Sequence, residues 1–190
     1  MRKDALYCDP PSSLRRRACR TAIDEAFSRL TAWLAPVLPF TTEEAWLTGR
    51  PDDKSVHLRL FPETPASWRD DAAAQTMARL REVRSVVTHA LEEARAAKRI
   101  GSSLEAAPVV HIFDEELRAL VQSVDFAELC ITSAIEVRGG PEVELGGGKA
   151  PVVVTIEKAP GVKCARSWKY FDPATADPRY PDITLRDAAA

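Results

Sequence analysis

Four arginines, Arg15, Arg16, Arg17 and Arg20, crowd into six positions near the N-terminus and are the first candidates for chemistry. On a helix they fall within two turns, where the backbone fixes the spacing of cations that can meet the phosphates of a nucleic acid. The competing reading is that they are solvated or pair with carboxylates such as Asp9 and Asp24. A second set, Arg79, Arg81, Arg84, Arg95, Lys98 and Arg99, is interleaved with Glu82, Glu92 and Glu93 and reads as a solvated face with intrahelical pairs. His57 alternates with Val56 and Leu58, and no catalytic carboxylate or nucleophile accompanies it, so it reads as a packing or hydrogen-bonding residue. The GGGK at 146–149 resembles the end of a phosphate loop. However, Val143 stands where that loop needs a glycine and Ala150 where a hydroxyl should hold magnesium, so it reads as a flexible hairpin turn. Cys8, Cys19, Cys130 and Cys164 have no paired spacing and read as reduced cytosolic thiols rather than a disulfide framework.

The arginine cluster must be held by the helix that contains it. Leu14, Ala18, Ala22, Ile23, Ala26, Phe27, Leu30, Trp33, Leu34 and Val37 recur at helical spacing, with Arg15, Arg16, Arg17, Arg20, Asp24 and Arg29 on the other face. Ser12 or Ser13 can cap its start, and Pro36 and Pro39 force a kink or stop. Thr41 and Glu44 then have the spacing of a capping box, with Phe40 placed to staple on Ala45, so a second helix is expected to run to Trp46. Residues 48–67 read as a surface loop with an extended piece at 55–60. Residues 70–100 read as a long amphipathic helix capped at Gly101. Beyond it the pattern changes to a small α+β unit. It has a strand at 109–113, a helix capped by Asp114, a further turn at 125–129, and strands at 131–137 and 152–157 separated by glycine-rich turns.

The composition permits this plan: 190 residues with 45% hydrophobic and 28% charged side chains can bury one core or two small ones. No apolar run approaches a membrane span, and MRKDALYCDPP has no secretory apolar region. A net charge of −2 excludes coating nucleic acid by bulk charge but leaves room for a local basic patch.

Five segments carry a resemblance. KDALYCDPPSSLRRRACRT (3–21), LTAWLAPVLPFTTEEAW (30–46), SVHL with FPE (55–63), KRIGSSLEA (98–106) and CARSWKY (164–170) resemble, in order, the anticodon-binding region of bacterial isoleucyl-tRNA synthetases, which are class I aminoacyl-tRNA synthetases. The resemblance implies a mainly α fold: a partial helical anticodon-binding bundle over 1–105, a small mixed α/β domain over 106–160, and an irregular zinc-knuckle-like tail over 161–190. It also implies that Met1 begins an excised C-terminal piece, whose first helix would then expose an apolar face. Isoleucine tRNA, bound through its anticodon stem-loop, and the catalytic remainder of the synthetase are the implied partners, in the cytoplasm, with no membrane or DNA. Such enzymes use ATP and magnesium, but HIGH-like and KMSKS-like motifs are absent here, so the chain is expected to be catalytically silent.

In these synthetases the tail commonly binds zinc through two C-x-x-C pairs. The corresponding places here read Cys164 and Ser167, then Thr184 and Asp187, so Cys164 is the one thiolate kept and no metal is expected. Arg166, Trp168 and Lys169 remain. The resemblance implies that the Arg and Trp of this motif touch the anticodon stem-loop, which suits the ability of indole and guanidinium planes to stack on unpaired bases. The tRNA-binding set expected is therefore Arg15, Arg16, Arg17, Arg20, Arg166, Trp168 and Lys169. A helical protein-interaction or scaffold module without RNA binding is the alternative.

Overall fold

A computed structural model describes residues 3–140, 144, 145, 148, 149 and 151–190. Met1, and the Pro141, Val143, Gly146, Gly147 and Ala150 of the glycine-rich turns, lie outside the described residues. In chain order the elements are α1 (Lys3–Cys8), α2 (Leu14–Leu34), α3 (Pro39–Gly49), α4 (Asp71–Ala96), β1 (Val109–Ile112), α5 (Glu115–Gln122), α6 (Phe126–Cys130), β2 (Glu136–Arg138), β3 (Glu144–Leu145), β4 (Gly148–Lys149), β5 (Val152–Thr155), β6 (Val162–Lys163), β7 (Tyr170–Phe171), β8 (Ala176–Asp177), β9 (Tyr180–Thr184) and α7 (Leu185–Ala188). Helix dominates, and the sheets are small. The chain divides into two compact units, Asp9–Arg69 and the remainder.

In Asp9–Arg69, Ser13 caps α2 by accepting from the Arg16 N–H, and the helix stops at Leu34, two residues before Pro36. The expected capping box does not form. Pro39 occupies the first turn of α3, Leu38 is the cap residue, and Phe40 is 88% exposed, so no staple closes. Pro39 can start the helix because its missing N–H would have had no partner there, which moves the start two residues ahead of Thr41. The piece expected to be extended is instead a 3₁₀ turn, Val56–Leu58, capped by the Ser55 hydroxyl. His57 Nε2 lies 3.2 Å from the Pro39 carbonyl, an ordinary hydrogen bond.

The core of this unit is small: Ala35, Trp46 and Val56, with Phe27 stacked on Trp46 at 5.9 Å. Trp46 Nε1 donates to the Lys54 carbonyl at 3.0 Å, and the Arg59 guanidinium lies 3.9 Å from the Trp46 ring centroid. Arginine planes thus extend a core that aliphatic side chains do not fill. Leu30, Trp33, Leu34 and Val37 all remain exposed, so the periodic face of α2 is only partly covered.

The other unit is built on one aliphatic core. Leu80, Val83, Val87, Leu91 and Ala94 line one stripe of α4 and meet Val110, Ile112, Val121 and Phe126. The expected boundary at 105/106 therefore falls inside a hydrophobic core, because the stripe of the long helix is buried by the sheet that follows it. The sheet has order β2-β1-β5, with β2 parallel and β5 antiparallel to the central β1. Asp70 caps α4 and Asp114 caps α5, each accepting a backbone N–H three residues on. Lys98, not Gly101, takes the left-handed position after α4, at φ 56°. Strand β2 is shorter than expected because Ile131, at φ 59°, ends α6 as its left-handed cap. All four cysteines are buried free thiols, and burial pushes that of Cys130 up to about 12.

The tail is more regular than expected. β6 pairs with β7 and β8 with β9, and α7 follows, capped by Thr184. Gly161 permits the first hairpin: at φ +92°, a Cβ added there would come within 2.1 Å of the Phe171 carbonyl oxygen.

Candidate nucleic-acid interface

The arginine cluster sits where helix electrostatics disfavours it. Cations at a helix N-terminus oppose the macrodipole, and the first turn of α2 carries no acid to offset them. Asp9, just ahead of the helix and buried, supplies the compensation: Arg15 donates to it from Nε and Nη2, each at 2.6 Å, and the Ser13 hydroxyl donates at 3.2 Å. Arg16 Nη1 donates to the Asp9 carbonyl at 2.6 Å. Pairing with Asp9 therefore describes Arg15 and, through the backbone, Arg16. Asp24 pairs instead with Arg50. Arg17 and Arg20 are exposed, with no hydrogen-bond or ion-pair partner among the described residues.

The second site is a tight turn over 164–169. The Cys164 N–H donates to the Lys169 carbonyl at 2.8 Å and the Trp168 N–H to the Cys164 carbonyl at 3.0 Å. Trp168 itself adopts φ 63°, a left-handed conformation that a bulky residue keeps only when its surroundings impose it. Trp168 is 60% exposed, and the Lys163 ammonium lies 5.0 Å from its ring centroid. Arg166 Nε donates to the Tyr7 carbonyl at 2.9 Å, and Lys169 Nζ lies 3.6 Å from Asp4. Both predicted cations are thus tied to α1, while Trp168 points to solvent over a flanking lysine. Lys163 has no distinguishing signal in the sequence.

The four places at which the resemblance puts zinc ligands come together, but around an anion. Asp187 is fully buried. Its Oδ2 accepts from Cys164 Sγ at 2.9 Å and Ser167 Oγ at 2.6 Å, and its Oδ1 accepts from Arg186 Nε at 2.8 Å and Nη2 at 2.6 Å. Thr184 Oγ1 accepts the Asp187 N–H at 3.2 Å, as the cap of α7. Arg186 continues to Asp4 with two further bonds, at 2.8 and 3.0 Å.

Burial alone would raise the Asp187 carboxyl pKa. The hydrogen bonds from Cys164, Ser167 and Arg186, with the Arg186 charge, outweigh it and hold the group below its usual range. Burial first, then the negative charges of Asp187 and Asp4, push the Cys8 thiol up. One thiol, two hydroxyls and a carboxylate already saturated by donors, beside a guanidinium, do not fit a zinc ion.

The family described as the anticodon-binding domain of tRNA ligase matches residues 1–111. The chain belongs to that family. Its relatives include the isoleucine–tRNA ligases of Agrobacterium fabrum (strain C58), 57% identical, and Brucella abortus (strain 2308), 55% identical, each aligned over the whole chain and 20% of the relative. That of Bartonella henselae is 49% identical with the same coverage. The chain thus spans about a fifth of the length of the curated relatives it matches. The anticodon-binding match covers α2 and its arginines, and the similarity to the ligases continues through the 164–169 turn and α7. Among the described residues, no helix is long and apolar enough to cross a membrane.

Proposed function

We propose that this chain is the anticodon-reading part of an isoleucine–tRNA ligase and that its RNA is isoleucine tRNA. The observation that carries this reading is the family match over 1–111, extended by relatives that are isoleucine–tRNA ligases along the whole chain. Arg17 and Arg20 meet phosphates, with Arg15 and Arg16 behind them braced on Asp9. Trp168 stacks on an unpaired base, flanked by Lys163, Arg166 and Lys169. The longer protein joins isoleucine to its tRNA with ATP in the cytoplasm. This chain activates no amino acid, because its sequence carries neither the HIGH-like nor the KMSKS-like motif that would bind ATP and polarise its α-phosphate. It holds no zinc either, the donor set being wrong for it. A helical scaffold without RNA binding gains nothing from the family match.

Titration of the 190-residue chain with transcribed isoleucine tRNA and a non-cognate tRNA tests the reading. Salt-dependent binding to the first, at least tenfold tighter than to the second, is expected; equal or absent binding overturns it. Isoleucine-dependent ATP–pyrophosphate exchange above a heat-killed control would overturn the catalytic part.

A further inference from the structure

The 164–169 turn has the strained residue Trp168 at its exposed end, and something must hold it there. Its own backbone supplies two hydrogen bonds, Cys164 to Lys169 and Trp168 to Cys164. The side chains of Cys164 and Ser167, three residues apart, both point inward and meet on one oxygen of Asp187. The other oxygen is filled by Arg186, so this buried carboxylate accepts four hydrogen bonds, two on each oxygen. Arg186 then reaches Asp4, and Arg166 on the outer side of the turn reaches Tyr7, so α1 braces the turn from both flanks.

We infer that Asp187 is the positioning residue of this turn: an anion gathers the Cys164 and Ser167 protons and the Arg186 guanidinium, and by fixing the turn it sets the pose in which Trp168 is offered to an unpaired base. The last step rests on the RNA-binding reading above; the positioning does not. The arrangement inverts the polarity of a metal knuckle. There, a cation at the centre draws in lone pairs from four thiolates. Here a carboxylate at the centre draws in donated protons, and the chain reversal needs no ion. The charge left over is met by Arg186, whose own second partner, Asp4, lies 182 residues away in the chain.

The test labels all four tryptophans, Trp33, Trp46, Trp68 and Trp168, with 5-fluorotryptophan and reads them by fluorine NMR, with Trp168→Phe identifying one resonance. Asp187→Ala is expected to shift and broaden the Trp168 resonance and leave the other three in place. Ser167→Ala, removing one donor, should move it less. Asp187→Asn keeps an oxygen for the thiol and hydroxyl and should fall between, and it carries the test if Asp187→Ala does not fold. An unmoved Trp168 resonance in Asp187→Asn and Ser167→Ala overturns the inference, as does stoichiometric zinc in the wild-type chain by elemental analysis.

Binding separates positioning from a general loss of stability. Titrated with transcribed isoleucine tRNA under conditions where each variant remains folded, Asp187→Ala and Trp168→Ala should each lose about 5- to 150-fold, the range expected for one stacked base. The double variant should be no weaker than Trp168→Ala, whereas Arg17→Ala with Arg20→Ala should add to either. Additive losses for Asp187 and Trp168 would overturn the link between them. If Trp168→Ala binds like wild type, the RNA step falls while the NMR result still decides the positioning.

Discussion

The first two turns of α2 and the turn at 164–169 both carry cations suited to RNA, but they hold them by different means. On α2 the backbone is the mount. Arg17 and Arg20 keep their spacing because a 21-residue helix keeps it, and neither spends its guanidinium on a partner among the described residues. In the tail, side chains are the mount: Asp187, Arg186 and Asp4 form a chain of charge-assisted hydrogen bonds beneath an exposed indole, and Arg166 and Lys169 are partly used in tying that turn to α1. A helix mount tolerates removal of any one of the side chains it presents. A side-chain mount concentrates its order in a few buried groups, so one substitution there should displace several others.

Removing Asp187 should therefore give the largest effect. Asp187→Ala leaves two donors and a guanidinium without their acceptor, and a loss of about 2–3 kcal/mol of unfolding free energy is expected, measured by denaturant titration. The pH dependence has a definite sign. Because the folded-state carboxyl is held below its usual range, its contribution is present above the ordinary aspartate pKa of about 4 and is lost as pH falls through the lower folded value. The wild-type chain should lose stability below about pH 4 more steeply than Asp187→Asn. Parallel curves would show that the carboxylate is no more stabilised when folded than when unfolded.

Gly161→Ala attacks the same region through the backbone. The added Cβ would fall 2.1 Å from the Phe171 carbonyl at a φ of +92°, so the β6–β7 pairing must open. A cost of roughly 1–3 kcal/mol and loss of hydrogen-exchange protection at Val162 and Phe171, the pair that faces across the hairpin, are expected. Gly140, whose added Cβ would merely touch Phe113 at 3.9 Å, is the matched control and should be near neutral.

What the sequence reveals and what it hides follow from the range of the interactions. The helices and the caps at Ser13 and Asp114 are legible because a cap and an apolar stripe are written within a few residues. The start of α3 is easily misplaced because Thr41 and Glu44 fit one local rule while Pro39 satisfies another. Strand β2 reads too long because a β-branched residue, Ile131, accepts the left-handed position that propensity denies it. The unit boundary is hidden because the burial of α4 depends on a sheet formed later in the chain. Arg166, Trp168 and Lys169 stand out by resemblance alone, and the pairing of Asp4 with Arg186 has no sequence signal at that separation.

Binding measurements sharpen the contrast between the two mounts. Trp168→Ala should weaken isoleucine-tRNA binding by about 1–3 kcal/mol with little change in salt dependence, because stacking releases no counterion. Replacing Arg17 and Arg20 together should lower the slope of log affinity against log salt by about 0.7–0.9 for each phosphate left without its arginine, with stability unchanged within about 0.5 kcal/mol. An unaltered slope would return both arginines to the solvated reading.

The smallest effect is expected at Arg15, and it divides α2 internally. Arg15 faces Asp9 through two short hydrogen bonds, with the carboxylate side chain only 7% exposed, so little of its charge is available to a phosphate. Asp9 is also what offsets the arginines against the helix dipole and holds the Ser13 cap hydroxyl. Arg15→Ala should therefore change the salt slope by less than about half that of Arg17→Ala, while reducing stability by up to about 1 kcal/mol as the pair is broken. Asp9→Asn sharpens this further: it releases Arg15 for phosphate and should steepen the salt dependence even as the start of α2 weakens. A slope that falls equally for Arg15→Ala and Arg17→Ala would mean that the Asp9 pair opens on RNA, and that the whole cluster, rather than its exposed half, meets the phosphates.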